Sequence, residues 1–205
     1  MKHQVPQFIR WFFPGTIWRL ATVPPTIYIT FDDGPVPEVT PQVLDILDKY
    51  QVKATFFCVG ENVERYPTLF QEVLARGHAV GNHSYNHLRG TKTSTKSYIE
   101  NIEKADALIK SPLMRPPYGR ITPSQIRILR KKYKIIMWDY ITYDFDASYN
   151  TQSIMRDIKK FSRNGAIVIF HDSIKASSNM LETLPQAIEY WQGQGYKLGM
   201  IQIPS

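Results

Sequence analysis

The stretch TIYITFDDGPVPEV (residues 26–39) decides the fold class of this chain of 205 residues. Its first six residues favour β-structure and are mostly apolar, which predicts a strand that is buried on both faces. Two aspartates end this strand, and Gly34-Pro35 marks a turn directly after them. Thr40-Pro41 then predicts a helix start, because threonine caps helices and proline is tolerated in their first turn. A buried strand followed at once by a helix is the building unit of parallel α/β sheets.

The rest of the chain repeats this alternation of apolar strand patterns and helical patterns. Strands are predicted at KATFFCVG, HAVGN, KIIMWDY, GAIVIFHD and YKLGMIQI, with a short one near PLMRPPYG. Helical patterns lie between most of them, as in TPQVLDILDKY, SYIENIEKADALIK and TQSIMRDIKKF. We count about seven strand–helix units, one fewer than in the usual eight-unit barrel. The sequence therefore predicts an α/β fold whose parallel sheet is covered on both faces or closed into a barrel.

No linker or low-complexity tract divides the chain, so we predict one folded domain over residues 26–205, preceded by an N-terminal extension over residues 1–25. Arg10, Pro14 and Arg19 interrupt the aromatic N-terminal segment before the apolar core of a signal peptide can form. We therefore expect the extension to pack on or near the domain, with a short interfacial membrane anchor as the alternative. The compartment stays open. The default is the cytoplasm, and association with the cell envelope is the alternative.

The chain carries a formal net charge of +7, and its densest basic run, RILRKKYK, lies on a predicted helix. We interpret this run as a solvated helix face and expect no nucleic-acid partner, because no nucleic-acid-binding motif accompanies it. No apolar run reaches the length of about 18 residues that a membrane-spanning helix needs. The single cysteine, Cys58, lies among apolar residues and is expected to be a buried core residue. Nothing in the sequence identifies a protein partner.

Polar and titratable side chains follow the predicted strands, at the point where each strand ends. In parallel α/β barrels the carboxyl ends of the strands meet at one face, where active sites lie. The following residues lie there, from five segments far apart in the sequence: Asp32, Asp33, His83, His87, Arg115, Tyr118, Trp138, Asp139, Asp144, His171 and Asp172. Their convergence predicts a functional site at this face.

Asp32 and Asp33 are adjacent, and two carboxylates this close repel each other unless a cation or hydrogen bonds hold them. A solvent-facing Asp-Gly-Pro turn is the plain alternative. His83 and His87 stand four residues apart, a spacing that puts two side chains on one face of a helical turn. With one carboxylate they make a set of three ligands that leaves a fourth position open to water. This pattern predicts a catalytic zinc or similar divalent ion, with a nearby arginine to hold the second carboxylate.

Hydrolysis at such an ion needs a base that takes a proton from water and an acid that protonates the leaving group. The aspartate that does not bind the ion can be the base, with Arg115 as its partner, and His171 can be the acid. Asp144, Asp139 and Asp172 compete for the role of holding His171 in its cationic form. Spacing alone does not choose among the three.

Five short motifs occur in order along the chain: TFDDGP (residues 30–35), HSYNH (83–87), RPPYG (115–119), YDF (143–145) and IFH (169–171). Together they resemble the motifs of polysaccharide deacetylases of the NodB-homology type, carbohydrate esterase family four. The resemblance covers most of the chain, from the TIYITF strand to the C-terminus. It implies a distorted β/α barrel of about seven units. It also implies metal-dependent removal of acetyl groups from N-acetylated sugars.

The resemblance implies which residues hold the ion. Asp33 is the expected metal ligand beside His83 and His87, and Asp32 is the expected general base. The expected cofactor is one divalent metal ion. Zinc is the first expectation, and cobalt or a similar ion is the alternative.

The same resemblance implies how the remaining residues act. Arg115 is expected to hold Asp32 in place. The backbone N–H of Tyr118 is expected to stabilise the oxyanion together with the metal. His171 is the expected general acid, and Asp144 is expected to support it.

Substrate contacts are expected from four apolar or aromatic side chains: Tyr118, Trp138, Phe145 and Ile169. Phe145 stands where the family has tryptophan and Ile169 where it has leucine, so the lining of the acetyl pocket departs from the family pattern. Aromatic rings can stack on sugar faces, although core packing is an equally good interpretation for each ring taken singly. Further aromatic residues near this face are Tyr85, Tyr140 and Tyr143.

The substrate implied by the resemblance is an N-acetylated glycan of the peptidoglycan or chitin type. The alternative enzyme is a hydrolase of another non-peptide C–N bond in a small molecule, since related barrels perform such chemistry. A non-catalytic carbohydrate-binding domain is a third hypothesis, which predicts that a metal ligand or the base is missing. Every residue that the mechanism needs is present in the sequence, so we expect an active enzyme.

Overall fold

The computed structural model describes residues 10–202, in which nine strands form a single sheet. The strands are β1 (Thr16–Ile17), β2 (Thr26–Asp32), β3 (Thr55–Cys58), β4 (Ala79–Asn82), β5 (Leu113–Met114), β6 (Lys134–Ile136), β7 (Tyr140–Ile141), β8 (Ile167–His171) and β9 (Lys197–Gly199). The helices are α1 (Thr40–Lys49), α2 (Gly60–Arg65), α3 (Pro67–Ala75), α4 (Thr95–Ile109), α5 (Pro123–Leu129), α6 (Thr151–Phe161) and α7 (Ser177–Gly193). Short 3-10 turns lie at Gly90–Lys92 and Pro117–Gly119. None of these helices combines the length and apolar character that crossing a bilayer requires.

The strand order along the sheet is β1-β6-β5-β4-β3-β2-β8-β7, and β9 pairs with the start of β2. All pairs of these strands are parallel. The predicted α/β class with a barrel-like parallel sheet is therefore confirmed. The sheet is a curled half-barrel whose two ends are formed by β1 and β7.

Strand register brings the carboxyl ends of the strands to one edge. Asp32 at the end of β2 lies opposite His171 at the end of β8. Asn82, the last residue of β4, lies opposite both Cys58 and Met114. The residues that directly follow these strands therefore emerge side by side, as parallel strands require.

The central strand β2 is buried on both faces, as its continuous apolar pattern predicts. Ile29 and Phe31 are fully buried. The Phe31 ring stacks on Phe56, with ring centroids 4.9 Å apart, and on Phe170 at 5.9 Å. The core cluster that contains these rings also includes side chains from α1, α3, α6 and α7. On the opposite face of β2, Thr30 is fully buried and Tyr28 packs against a second apolar cluster, so burial on both faces holds β2 beneath the residues that follow it.

The pattern KIIMWDY, predicted as one strand, is in fact divided between two strands. β6 pairs with β5 and β1, whereas β7 pairs with β8 at the other end of the sheet. The backbone N–H of Met137 donates to the Ile17 carbonyl and that of Asp139 to the Ile167 carbonyl. The chain therefore crosses from one end of the sheet to the other around Trp138. Periodicity cannot reveal this crossing, because the segment is mostly apolar and no glycine or proline separates the two strands.

Two short elements escaped prediction. The six-residue helix α2 is too short to carry a clear helical period. Strand β1 lies in the predicted N-terminal extension, where it pairs with β6, and Trp18 beyond it is buried. Residues 1–9 of the extension lie outside the described residues, and the division of the chain at residue 25 stays a prediction.

Replacing Phe31 by alanine is expected to lower the free energy of unfolding by about 3–5 kcal/mol, because it removes a fully buried ring from the centre of the core. Ile128→Ala on the outer face of α5 is the control, since Ile128 is 42% exposed. Surface truncation of this kind is expected to cost within about 0.5 kcal/mol. Denaturant unfolding followed by circular dichroism measures both changes. Equal costs for the two variants would contradict the position given to β2.

Candidate active site

Arg115 directly follows β5, and its side chain is fully buried beneath the carboxyl edge of the sheet. Its Nη1 donates to Asp32 Oδ1 at 2.6 Å and to Thr30 Oγ1 at 2.8 Å. Its Nη2 donates to the Met137 carbonyl at 3.1 Å, and the guanidinium carbon lies 4.0 Å from the centroid of the Phe57 ring. A guanidinium removed from water is tolerated only with partners of this kind. Arg115 therefore compensates the charge of Asp32 and fixes its orientation.

Asp33 leaves the strand in the left-handed conformation, with φ 85°. The usual alternation of side chains breaks here, and both carboxylates face the same imidazole. Asp32 Oδ2 lies 4.0 Å and Asp33 Oδ1 3.7 Å from Nε2 of His83. This geometry explains how two adjacent carboxylates can both be accommodated. One oxygen of Asp32 is bound by Arg115, and Asp33 points towards the histidines.

The turn after Asp33 is held from below by Asp172. The backbone N–H of Gly34 donates to Asp172 Oδ1 at 3.0 Å, and the hydroxyl of Thr40 donates to Oδ2 at 2.7 Å. A Cβ at position 34 would lie 1.9 Å from Asp172 Oδ2, so the close approach requires glycine. The glycine of the Asp-Asp-Gly sequence thus lets Asp172 anchor the turn.

Asp33, His83 and His87 converge on one point. Asp33 Oδ1 lies 3.2 Å from Nε2 of His87, and one ligand atom from each of the three residues lies within 4.8 Å of the other two. Within residues 10–202 this is the one group of three or more potential metal ligands. Geometry therefore brings together the three residues that the sequence predicts as ligands.

The loop that presents the histidines is not helical, and the predicted helical turn is wrong. Residues 83–88 contain no helix, and Ser84 and His87 have positive φ values of 63° and 58°. The side chain of Asn82 holds the loop, since its Oδ1 accepts from the Ser84 N–H and its Nδ2 donates to the Ile102 carbonyl. The two rings meet because the loop folds back, with ring centroids of His83 and His87 5.0 Å apart.

These residues fit a divalent cation. Nδ1 of His83 lies 2.9 Å from the Arg115 carbonyl, which can only accept, so this nitrogen carries the proton and Nε2 carries the lone pair. Burial lowers the pKa of His83 to about 4, which makes the ring neutral at pH 7. Asp33 Oδ1 is buried and has no hydrogen-bond donor among the described residues. The lone pair of His83 Nε2 and the Asp33 carboxylate oxygen 3.7 Å away repel each other, and a shared cation relieves the repulsion. An acid with two imidazoles is a typical zinc ligand set.

His171, the last residue of β8, is bound twice by one carboxylate. Its Nδ1 lies 2.7 Å from Asp144 Oδ1, and its backbone N–H donates to Asp144 Oδ2 at 2.8 Å. Burial by itself lowers the pKa of His171, but the charge and hydrogen bond of Asp144 outweigh burial and raise the pKa to about 9. Nearby Asp33 and Asp32 act in the same direction. His171 is therefore a cation at neutral pH, and its Nε2–H takes no part in the contact with Asp144.

The two other aspartates that competed for His171 are occupied elsewhere. Asp139 is fully buried and accepts hydrogen bonds from Arg10 and Arg163, each at 2.6 Å. Burial raises the pKa of Asp172 to about 8, and its oxygens accept from Gly34 and Thr40. Geometry therefore selects Asp144, which spacing in the sequence could not do.

A cavity of about 640 Å³ opens over these groups. The predicted site residues that line it are Asp32, Asp33, His83, His87, Tyr118, Trp138, Phe145, Ile169 and His171. Arg115 and Asp144 lie behind this lining and contact Asp32 and His171. The residues expected to act in catalysis, metal binding or substrate contact therefore all belong to one cavity or contact its lining.

The four expected substrate contacts differ in how they are exposed. Tyr118 is 54% exposed, has φ 59°, and places its ring 4.5 Å from the ring of His87. The Phe145 ring meets His171 edge-on at 4.8 Å. Trp138 is half-buried and packs against Trp18, and Ile169 is buried at the base. These four side chains thus give the cavity an apolar part beside its polar centre, which suits an acetyl group.

Of the further aromatic residues, one lines the cavity. Tyr143 does so, whereas Tyr140 is buried against Phe161. The hydroxyl of Tyr85 donates to Glu64 at 2.6 Å on the outer surface.

Sequence reasoning missed five residues that also line the cavity: Arg89, Arg120, Ile141, Ser173 and Lys175. Arg89, Arg120, Ser173 and Lys175 follow one of the five motifs by one to four residues, and Ile141 lies in β7, two residues before YDF. Proximity to a motif was the one signal available, and it does not say which way a loop side chain points.

Comparison with known proteins agrees with this geometry. A family model described as polysaccharide deacetylase matches residues 20–134, which is more than half of the chain. A peptidoglycan-N-acetylglucosamine deacetylase of Bacillus cereus is 34% identical over 187 residues, covering 88% of this chain and 88% of that protein. The peptidoglycan-N-acetylglucosamine deacetylase PgdA of Listeria monocytogenes is 35% identical over 83% of this chain, which spans 37% of that protein's length.

Solved structures lead to the same family. The crystal structure of the Bc1960 peptidoglycan N-acetylglucosamine deacetylase, in complex with 4-naphthalen-1-yl-N-oxidanyl-benzamide, superimposes with a TM-score of 0.87. It is 25% identical in sequence, and the match covers 96% of this chain and 95% of that one. The resemblance carried by the five motifs is confirmed. The chain belongs to the polysaccharide deacetylase family.

Proposed function

We propose that this protein is a metal-dependent deacetylase that hydrolyses the acetamide group of N-acetylated sugars in a peptidoglycan- or chitin-type glycan. One observation carries the proposal. The Asp33, His83 and His87 group, the Asp32–Arg115 pair and the Asp144–His171 pair all meet at one cavity. The Asp33, His83 and His87 group would bind a divalent ion, with zinc as the expected metal. The Asp32–Arg115 pair would supply a base, and the Asp144–His171 pair would supply an acid. The family relatives that deacetylate peptidoglycan support the same substrate class.

Asp33, His83 and His87 are the residues that would hold the ion. A bound divalent ion supplies polarisation of the acetyl oxygen and acidification of a water molecule. Asp32 is suited to take the proton of that water, because its Oδ1 is bound by Arg115 while Oδ2 faces the ligand group. Arg115 thus orients the base without itself reaching the cavity.

His171 is suited to complete the reaction as a general acid. Attack of water on the acetyl carbon and cleavage of the C–N bond release acetate and leave the sugar nitrogen in need of a proton. The pKa of about 9 keeps His171 protonated at neutral pH, ready to donate to that nitrogen. Asp144 sustains the cationic form and fixes the ring.

Tyr118 is suited to a backbone role. Its left-handed φ of 59° is costly for a residue with a side chain and persists only where the surroundings enforce it. We infer that this conformation directs its N–H towards the developing oxyanion, in support of the metal. Its exposed ring then forms part of the sugar-facing wall.

Neighbouring aspartates offer a matched pair of variants. Asp32→Asn should keep the metal and lower kcat by about 10²–10⁴-fold, because an amide still accepts from Arg115 but takes no proton. Asp33→Asn and His87→Ala should lose the metal as well as activity. Metal content after dialysis and acetate release from N-acetylglucosamine oligomers measure both effects. In the unmodified protein, a chelator should abolish acetate release, and zinc or cobalt should restore it.

The opposite pattern would overturn the assignment. Metal loss in Asp32→Asn together with metal retention in Asp33→Asn would exchange the roles of the two residues. Full activity of the chelated protein would remove the metal from the mechanism.

The acid role of His171 predicts a specific pH dependence. Because its pKa is raised to about 9, kcat should stay high up to that pH and fall as the ring loses its proton above it. Asp144→Asn removes the charge that raises this pKa. The fall in kcat at alkaline pH, the alkaline limb of the profile, should therefore begin about 1–3 pH units lower in this variant. Asp146→Asn in the same loop is the control and should leave the limb in place. An unchanged limb in Asp144→Asn would mean that another group sets it.

A further inference from the structure

Three cationic side chains line the cavity: Arg89, Arg120 and Lys175. Within residues 10–202, none of the three lies within 4.0 Å of a carboxylate oxygen, although many other basic side chains do. The acids that line the cavity, Asp32 and Asp33, face Arg115 and the imidazoles instead. The wall of the cavity therefore carries positive charge that no carboxylate of residues 10–202 neutralises through a direct ion pair.

Two of these cations are held against aromatic rings of the cavity. The guanidinium carbon of Arg89 lies 4.6 Å from the centroid of the Tyr118 ring. Nζ of Lys175 lies 5.5 Å from the centroid of the Phe145 ring. Such contacts restrain a cation over the ring face while leaving its N–H donors available. These side chains are thus positioned rather than freely solvated.

The cations flank the catalytic residues on both sides. Arg89 and Arg120 follow β4 and β5, on one side of β2 in the sheet, and Lys175 follows β8 on the other side. A glycan that crosses the cavity with its reacting sugar at Asp32 would pass one group of cations before the centre and the other after it. Arginine binds carboxylates through two parallel hydrogen bonds, and lysine acts as a point charge.

We propose that the preferred substrate is an acidic glycan, in which carboxylates on the units next to the reacting sugar bind Arg89, Arg120 and Lys175. The proposal rests on the deacetylase function proposed above and narrows its substrate class. A neutral chitin-type chain offers no anion to these three side chains. A peptidoglycan-type strand offers carboxylates from either of two sources, its peptide stems or, once the stems are removed, the lactyl groups of its sugars.

The test compares kcat/KM for acetate release from three soluble substrates. They are neutral N-acetylglucosamine oligomers, glycan strands with peptide stems, and strands stripped of stems by an amidase. Exposed charge pairs of this kind contribute modestly, so each of Arg89→Gln, Arg120→Gln and Lys175→Gln should lower the ratio of acidic to neutral kcat/KM by about threefold. The triple variant should lower it by about tenfold or more. Added salt should lower the ratio for the unmodified protein in the same way.

Lys131→Gln is the matched control, since Lys131 is exposed and belongs to the basic run after α5. It removes the same charge and should leave the ratio unchanged. If the cation variants lose more kcat/KM on stripped strands, the cations bind the lactyl carboxylates. If they lose more on stem-bearing strands, the cations bind the peptide carboxylates. Arg89→Lys keeps a positive charge over the Tyr118 ring, so it should lower the ratio of acidic to neutral kcat/KM less than Arg89→Gln does.

Failure of this inference differs from failure of the proposed function. If the unmodified protein deacetylates neutral and acidic glycans equally well, or if the triple variant keeps the original ratio, the cations do not select the substrate. If no glycan of any charge releases acetate in the presence of zinc, the deacetylase function itself is wrong.

Discussion

The contact on which the site depends is the buried ion pair between Arg115 and Asp32. A fully buried guanidinium is costly unless its donors are satisfied, and here they bind Asp32, Thr30 and backbone carbonyls at the ends of neighbouring strands. The pair therefore ties β2 to the segments after β5 and β6. It also separates the two adjacent aspartates by function, because one carboxylate is engaged by Arg115 and the other is left facing His83 and His87.

The second constraint is that two acceptors, Nε2 of His83 and a carboxylate oxygen of Asp33, face each other at 3.7 Å. His83 donates from Nδ1 to the Arg115 carbonyl, so the residue that orients Asp32 also orients His83. Arg115 thus links the proposed base to the proposed metal ligands, and disturbing Arg115 would disturb both. On the opposite side, Asp144 keeps His171 cationic. Asp32 and the cationic His171 thus end neighbouring strands beside the Asp33, His83 and His87 group, which is the combination that the proposed hydrolysis requires of a base and an acid.

Much of this site was predictable because chemistry-bearing residues follow the strands, and parallel strands bring their ends together. The details that escaped prediction depend on tertiary structure. His83 and His87 meet through a non-helical loop with positive φ at Ser84 and His87, although spacing alone suggested a helical turn. Spacing also could not choose Asp144 over Asp139, because the partners of Asp139 come from both ends of the chain. The cavity cations belong to loops whose direction no sequence pattern encodes.

The most direct test of the central claim is a crystal structure of the zinc-loaded protein with anomalous scattering at the zinc edge. The account predicts one ion bonded to Asp33 and to Nε2 of both His83 and His87, at about 2.0–2.2 Å from each ligand atom. Asp32 should stay outside the coordination sphere, still paired with Arg115. An ion bound through Asp32 with Asp33 turned away, or zinc held at another place on the protein, would contradict it.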